Sequence, residues 1–319
     1  MLTYLIISSV FSKNINPLEA PFPVIQNQGW TSILNKSWAR IPPSAQSRLR
    51  PSLYSAAQTT PGFALYFRTN SRQIHMKEDA GAWSYNKDKH YSSISPIPST
   101  GITGHDLYFR HPVKLYWANA IGGEIELFND QELEYRCYLP PFIEITKFAI
   151  RINDHKTFQW IAKDERTPIV VYGGSNVQGA ITTRPTSGPW PTVLHMNLDY
   201  PVLNFGFINN GKMDKAMIEI IAEGNEATIF IIDGLPDVAG FESQKIKALI
   251  NRTANIIHKY HPTTPILFLD HIGFADMDMF QSFNRTCERV NQAHKEIIDE
   301  IRQRDSNVHR LPREDMGMY

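Results

Sequence analysis

The sequence predicts an α/β protein in two parts: a parallel sheet covered by helices in the second half, preceded by a β-sandwich of jelly-roll type. Two observations carry this prediction. From about residue 26 to Trp160, short alternating runs such as "FALYFRTNS", "IHMK", "VKLYWAN" and "EIELFN" stand between clusters of Pro, Gly, Ser, Asn and Asp, as many short strands would. Beyond Trp160 the runs "TPIVVYGGS", "PVLNFGF", "ATIFIIDG" and "PILFLDH" are apolar without alternation, as strands buried on both faces are.

Taken in order, residues 1–25 read as a leader, 26–162 as the sandwich and 163–319 as the α/β domain, with the boundary in "IAKDERT". The opening "MLTYLIISSVFS" has a short apolar run with small residues where a peptidase could cut, but no basic start. It reads as a weak export signal, which favours a periplasmic or secreted location, or else as a first strand. In "GFALYFRTN", period two puts Phe63, Leu65 and Phe67 on a packed face and Ala64, Tyr66 and Arg68 on one that can meet solvent. Helical patterns follow in "KMDKAMIEIIAEG", "ESQKIKALINRTANIIHKYH" and "FQSFNRTCERVNQAHKEIIDEIRQRD".

Composition narrows the function. The 32 basic and 32 acidic side chains cancel, so no basic surface for nucleic acid or anionic membrane is expected. Cys137 and Cys287 are far apart and the histidines are scattered, which gives neither a disulfide framework nor metal-ligand spacing. No cofactor is implied; a small neutral substrate fits best.

In open parallel sheets ligands sit at the carboxyl ends of the strands. Four such ends carry polar or glycine-rich residues: Gly173-Gly174-Ser175, Asn204-Phe205-Gly206, Asp233 to Asp237, and Asp270-His271. "GGSNVQG" satisfies neither a dinucleotide fingerprint nor a Walker loop. It is either a plain turn or a serine nucleophile whose glycines allow close backbone approach. Gly206 offers an unencumbered N–H as an oxyanion donor, and Asn209 and Asn210 a polar wall for substrate.

Together "VYGGSNVQG", "NFGFINNGK" and "DGLPD" resemble the first three sequence blocks of the SGNH/GDSL hydrolases, in a bacterial branch whose blocks read "YGTSI(T)QG", "NLGFSGNGK" and "DCLPN". "PGFALYFRTNSRQIHMK" likewise resembles the β-rich domain that precedes the hydrolase domain there. The resemblance implies a flavodoxin-like sheet and a serine esterase acting on O-acyl, above all acetyl, groups of carbohydrates. It makes Ser175 the nucleophile and the N–H groups of Ser175 and Gly206 oxyanion donors. Where the family supplies an Asn donor this chain has Asp237, and an ionised carboxylate only accepts hydrogen bonds.

The tail "RQRDSNVHRLPREDMGMY" is similar to the family's final "DGxHPxDLGM" block with residues inserted, which makes His309 the base and Asp305 its orienting acid. The tail follows a helix directly, leaving no room for a last strand. His271 is the rival base, and Trp190 and Phe207 are candidate platforms for a sugar ring. The alternative from another class is a catalytically weak or inactive relative that serves as a glycan-binding or interaction protein.

Overall fold

The computed structural model describes residues 11–81, 104–120, 131–180, 182, 184–186, 189–273 and 279–317. The expected strand "EIELFN" and the first ten residues lie outside these.

The first half holds nine strands among the described residues, in two antiparallel sheets. They are β1 Phe11–Ile15, β2 Ile25–Gln26, β3 Ala64–Thr69, β4 His75–Ala80, β5 Asp106–Arg110, β6 Trp117–Asn119, β7 Leu133–Tyr138, β8 Ile145–Asn153 and β9 Phe158–Trp160. One sheet runs β1-β8-β4 and the other β2-β3-β7-β5-β6, with β9 paired to β3. Period two sends Leu65, Phe67, Tyr135 and Cys137 of the larger sheet into one apolar cluster with Phe148, Ile150 and Ile152 of β8. Residues 11–15, expected in a leader, instead pair with β8 in the register Ile15↔Ile150.

Two expectations change here. The other face of β3 is covered rather than solvated: Tyr66 is buried and its hydroxyl hydrogen-bonds His195 Nε2 at 2.7 Å, across the boundary with the second half. And the stretch between β2 and β3, counted with the sandwich, packs against the second half. It carries helices α1 Thr31–Leu34 and α2 Pro51–Ala56, and its Ile41, Leu49 and Leu53 join the cluster of Val170, Leu203 and Phe205. Arg40 fixes it there, buried, donating to the carbonyls of Asn204 at 3.0 Å and Gly206 at 2.7 Å.

The second half is a five-stranded parallel sheet of β10 Ile169–Gly173, β11 Val202–Gly206, β12 Ile229–Asp233, β13 Ile266–Leu269 and β14 Val308–Leu311, in the order β11-β10-β12-β13-β14. Its helices are α3 Ser175–Gln178, α4 Trp190–Leu198, α5 Lys215–Gly224, α6 Leu235–Val238, α7 Ser243–Tyr260 and α8 Gln281–Arg302. One sheet face, with Val170, Tyr172, Phe230, Ile232 and Phe268, lies under apolar residues of α5, α7 and α8. The other, with Val171 and Ile231, lies under Val177, Trp190 and Leu194. Burying an Ile or Phe in such a layer contributes about 1.5–3 kcal/mol, which is why these runs are apolar throughout. β14 corrects the expectation that the last strand is missing: "VHRL" pairs with β13 as Val308↔Ile266.

Candidate active site

The register Gly173↔Gly206 and Gly173↔Asp233 brings three glycine-rich or acidic strand ends side by side. At the middle one, Gly174 caps α3 and Ser175 is its first residue. Gln178 N–H donates to the Gly174 carbonyl at 3.1 Å, which closes the turn and leaves the N–H groups of Ser175, Asn176 and Val177 outside the helical ladder. Ser175 is partly exposed there. A side chain with free backbone donors beside it is the arrangement an acyl-transfer nucleophile needs.

The glycines exist for close approach. A Cβ on Gly211 would overlap the Gly174 amide nitrogen, and one on Gly206 would overlap the backbone of Gln178. The loop after β11 therefore lies flush on the nucleophile turn. Gln178 locks the arrangement: its Oε1 accepts from Ile208 N–H at 2.7 Å, and its Nε2 donates to Pro141 O and Thr59 Oγ1, both at 3.1 Å.

The expected site residues divide. Asp237 comes to the nucleophile turn: its Oδ2 stands where a Cβ of Gly174 would be, and its Oδ1 accepts weakly from Gly211 N–H at 3.4 Å. Burial pushes its carboxyl up to about 6, against a smaller opposing effect of the Gly211 amide and Lys212. Asp233, at the end of β12, is likewise pushed up to about 6, chiefly by burial. It accepts from Trp190 Nε1 at 3.3 Å, so Trp190 braces the site instead of standing free for a sugar. Asn209 is exposed and left-handed at φ 57°, a conformation its short polar side chain tolerates.

One departure from expectation is that the Gly206 N–H donates to Asn204 Oδ1 at 2.8 Å, with Gly206 buried against the backbone of α3. Asn210 is another: it is buried, accepts from Arg50 at 3.0 Å and Ser52 at 3.2 Å, and donates to Ile208 O at 2.8 Å. Phe207 is buried beneath Arg40 rather than offered to a ring.

The expected base and acid are not at Ser175. His309 lies on β14 in register with Leu267, its side chain exposed. Three strand spacings of about 4.8 Å separate β14 from β10, so it stands roughly 14 Å to the side of Val171. Asp305 precedes β14, at the opposite end of the sheet, where it hydrogen-bonds His258 and Asn307 N–H. His271 ends β13, two strands from β10; it is buried, and its Nδ1 accepts from Gly273 N–H at 3.0 Å. Among the described residues no histidine hydrogen-bonds the Ser175 hydroxyl.

Asp106 escaped the sequence reading, and Asp270, named there as a strand-end residue, had no partners assigned. Asp270 accepts from Arg310, from Arg313 N–H at 3.1 Å and from His294 Nδ1 at 2.8 Å, which pins the tail to the end of β13. Burial pushes its carboxyl up, but the hydrogen bonds and charges of His294 and Arg310 outweigh that and hold it below the usual range. Asp106 was signalled by a carboxylate inside the apolar run "DLYF", a place where burial demands partners.

Comparison with known proteins agrees with this architecture. Residues 166–318 match the model of the GDSL-like Lipase/Acylhydrolase family, and residues 12–158 match that of the N-terminus of Esterase_SGNH_hydro-type, called GxDLY. Gly104-His105-Asp106-Leu107-Tyr108 spells that motif. No curated protein matches the sequence. A crystal structure described as a GDSL-like lipase from Bacteroides ovatus superposes with a TM-score of 0.81 at 22% identity, over 94% of this chain and 86% of the other. The salicylyl-acyltransferase SsfX3 of a tetracycline biosynthetic pathway superposes with a TM-score of 0.67 at 18% identity, over 94% and 85%. With both halves matched and the serine at the strand end that carries the first block, the chain belongs to the SGNH/GDSL hydrolases, in the form with a GxDLY N-terminal domain.

Proposed function

We propose that the protein hydrolyses small O-acyl esters, acetyl above all, on sugars or similar polyols, with Ser175 as nucleophile. The supporting observation is the Ser175 turn itself, with backbone donors outside the helical ladder on one side and Asp237 on the other. The rim of Asn176, Asn209, Lys212 and Asp237 is polar, which suits a hydroxylated alcohol better than a long acyl chain.

In the reaction, Ser175 Oγ bonds to the ester carbonyl carbon, and the carbonyl oxygen takes the charge against the Ser175 N–H and a protonated Asp237 carboxyl. The bond to the alcohol oxygen then breaks, the alcohol leaves with the proton that the serine lost, and water releases the acyl group as acid. Among the described residues no histidine hydrogen-bonds the Ser175 hydroxyl, and a side-chain base taking that proton would contribute about 10²–10⁴ in rate. That same observation favours a second reading, a weakly active relative whose first domain binds glycans.

Hydrolysis of p-nitrophenyl acetate and of acetylated xylan by the purified chain tests this. Activity is expected to vanish in Ser175→Ala; equal activity in that variant would remove Ser175 from the mechanism and favour the second reading.

A further inference from the structure

The amino ends of the parallel strands, opposite the end that carries Ser175, border a cavity of about 410 Å³. Pro168 before β10, Pro201 before β11 and residues 224–226 at the end of α5 form one side, and the stretches 27–32 and 163–167 form the other. A cavity of this size at a junction between domains is a usual place for a ligand. β10 is five residues long, so about 17 Å of strand separates it from the nucleophile turn. A molecule held there leaves Ser175 uncovered.

The cavity is built around Trp30. Its backbone is left-handed at φ 47°, a region that bulky side chains rarely occupy, and Asn27 is left-handed at φ 62°. Both ends of this turn are fastened. Asn27 Nδ2 donates to Gly62 O at 2.9 Å and its Oδ1 accepts from Val202 N–H at 3.1 Å, while Gln28 Nε2 donates to Ser37 O at 2.8 Å and Ala39 O at 3.0 Å. The indole is half-buried, edge-on to Phe205 with ring centres 5.7 Å apart, and a Cβ on Gly224 would overlap its Nε1. Among the described residues its N–H has no acceptor. Strain of this kind persists only where the surroundings impose it, and here they hold an aromatic side chain with an open donor against a cavity.

The remaining lining narrows the ligand. Lys163 is half-buried, and among the described residues its Nζ hydrogen-bonds only the Asp164 carbonyl, at 3.5 Å. Glu165 and Glu226 stand exposed on the rim, whereas Asp164 and Arg166 are tied to each other. Two rim carboxylates against one uncommitted ammonium disfavour an anion. Among the described residues no group of carboxylates and histidines could hold a metal ion. An aromatic ring ringed by separate donors and acceptors is matched by a molecule that offers C–H faces and hydroxyls together, as a neutral sugar does.

We propose that this junction cavity is a second binding site, for a neutral saccharide, with Trp30 stacking on one sugar ring and Lys163, Glu165 and Glu226 bonding its hydroxyls. It holds the protein on a glycan while the Ser175 end stays free. The site stands apart from the ester-hydrolase reading, since it requires no turnover.

The test titrates the full chain carrying Ser175→Ala, by calorimetry, with hexasaccharides of xylose, glucose, mannose and N-acetylglucosamine. A hexamer of galacturonic acid is the anionic comparison. At least one neutral hexamer is expected to bind with a Kd of about 1 mM or tighter. Glu165→Ala combined with Glu226→Ala, both exposed, should weaken that binding about tenfold with thermal melting unchanged. Trp30→Ala abolishes it, and Trp30→Phe, which keeps a ring, stays within about fivefold. Should Trp30→Ala unfold, the double glutamate variant decides. Hydrolysis of p-nitrophenyl acetate, measured with Ser175 in place, is expected to be equal in the double variant and the wild type. Saccharide binding by a chain that hydrolyses nothing would sink the hydrolase reading alone. Failure of all the neutral hexamers to bind overturns the proposal. So does binding that the double variant leaves unaltered, which puts the sugar elsewhere, or binding of the galacturonate hexamer alone.

Discussion

Among individual side chains, Asp237 presents a carboxyl where the sequence blocks of the family carry an amide. It can donate to an oxyanion only when protonated, and it titrates near 6 because burial disfavours the charge. The rate is therefore expected to rise as pH falls through about 6 and to fade above it. Asp237→Asn supplies a donor at every pH, so a pH series of kcat/KM should lose that inflection and gain about ten- to a hundredfold at pH 7.5. Asp233 gives a stability counterpart. Its folded carboxyl is raised from 3.8 to about 6, so the native state binds the proton more tightly than the unfolded one, and stability falls as pH rises across that window. Asp233→Asn is expected to stabilise the protein at pH 7.5 by on the order of 2–3 kcal/mol in urea titration, with no gain at pH 4.

Between secondary-structure elements, the site is made by strand ends that touch backbone to backbone. Gly211 makes one of the tight contacts, and what its missing Cβ would strike is the main chain of Gly174, which cannot step aside. Gly211→Ala is expected to cost more than about 3 kcal/mol and to abolish hydrolysis, whereas Gly240→Ala, whose Cβ meets nothing, should leave both unchanged. The parallel strands were readable because an unbroken apolar run of strand length needs cover on both faces, and the Ser175 turn because paired glycines at a strand end signal close backbone approach. β14 was not, since four residues at a sheet edge, half of them polar, leave too little periodicity. The partner of the Gly206 N–H was missed for a related reason: a glycine in a block announces close approach, but not which neighbour approaches. Here it is α3 from above and Asn204 from the side. His309 failed because a motif with inserted residues fixes no register, and a strand that starts at Val308 carries it away from the site.

Over the full chain, the two matched families do not mark two independent bodies. The stretch from Arg40 to Ala57 precedes most strands of the first domain yet fills the core of the second, and Arg40 alone satisfies two β11 carbonyls. A fragment of residues 163–319 is expected to remain insoluble or molten by circular dichroism, and Arg40→Ala in the full chain to lose about 3–5 kcal/mol, much of it from carbonyls left buried without donors. The division read from texture, with a boundary near residue 162, described where strand chemistry changes. It missed the crossing because a Pro- and Ser-rich stretch looks like a linker even when its few apolar residues are committed elsewhere.

That crossing also sets an order of events during synthesis. Ile41, Leu49 and Leu53 leave the ribosome early, while Phe205, Met217 and Ile250, which share their cluster, follow more than 150 residues later. Domains ordinarily fold as they emerge, N-terminal part first. Here the first domain can close its own two sheets on time, but the segment between its second and third strands must wait with its apolar side uncovered. The vulnerable moment for this chain is thus late in translation, and an aggregation-preventing chaperone would find its target near the beginning of the sequence rather than at the growing end.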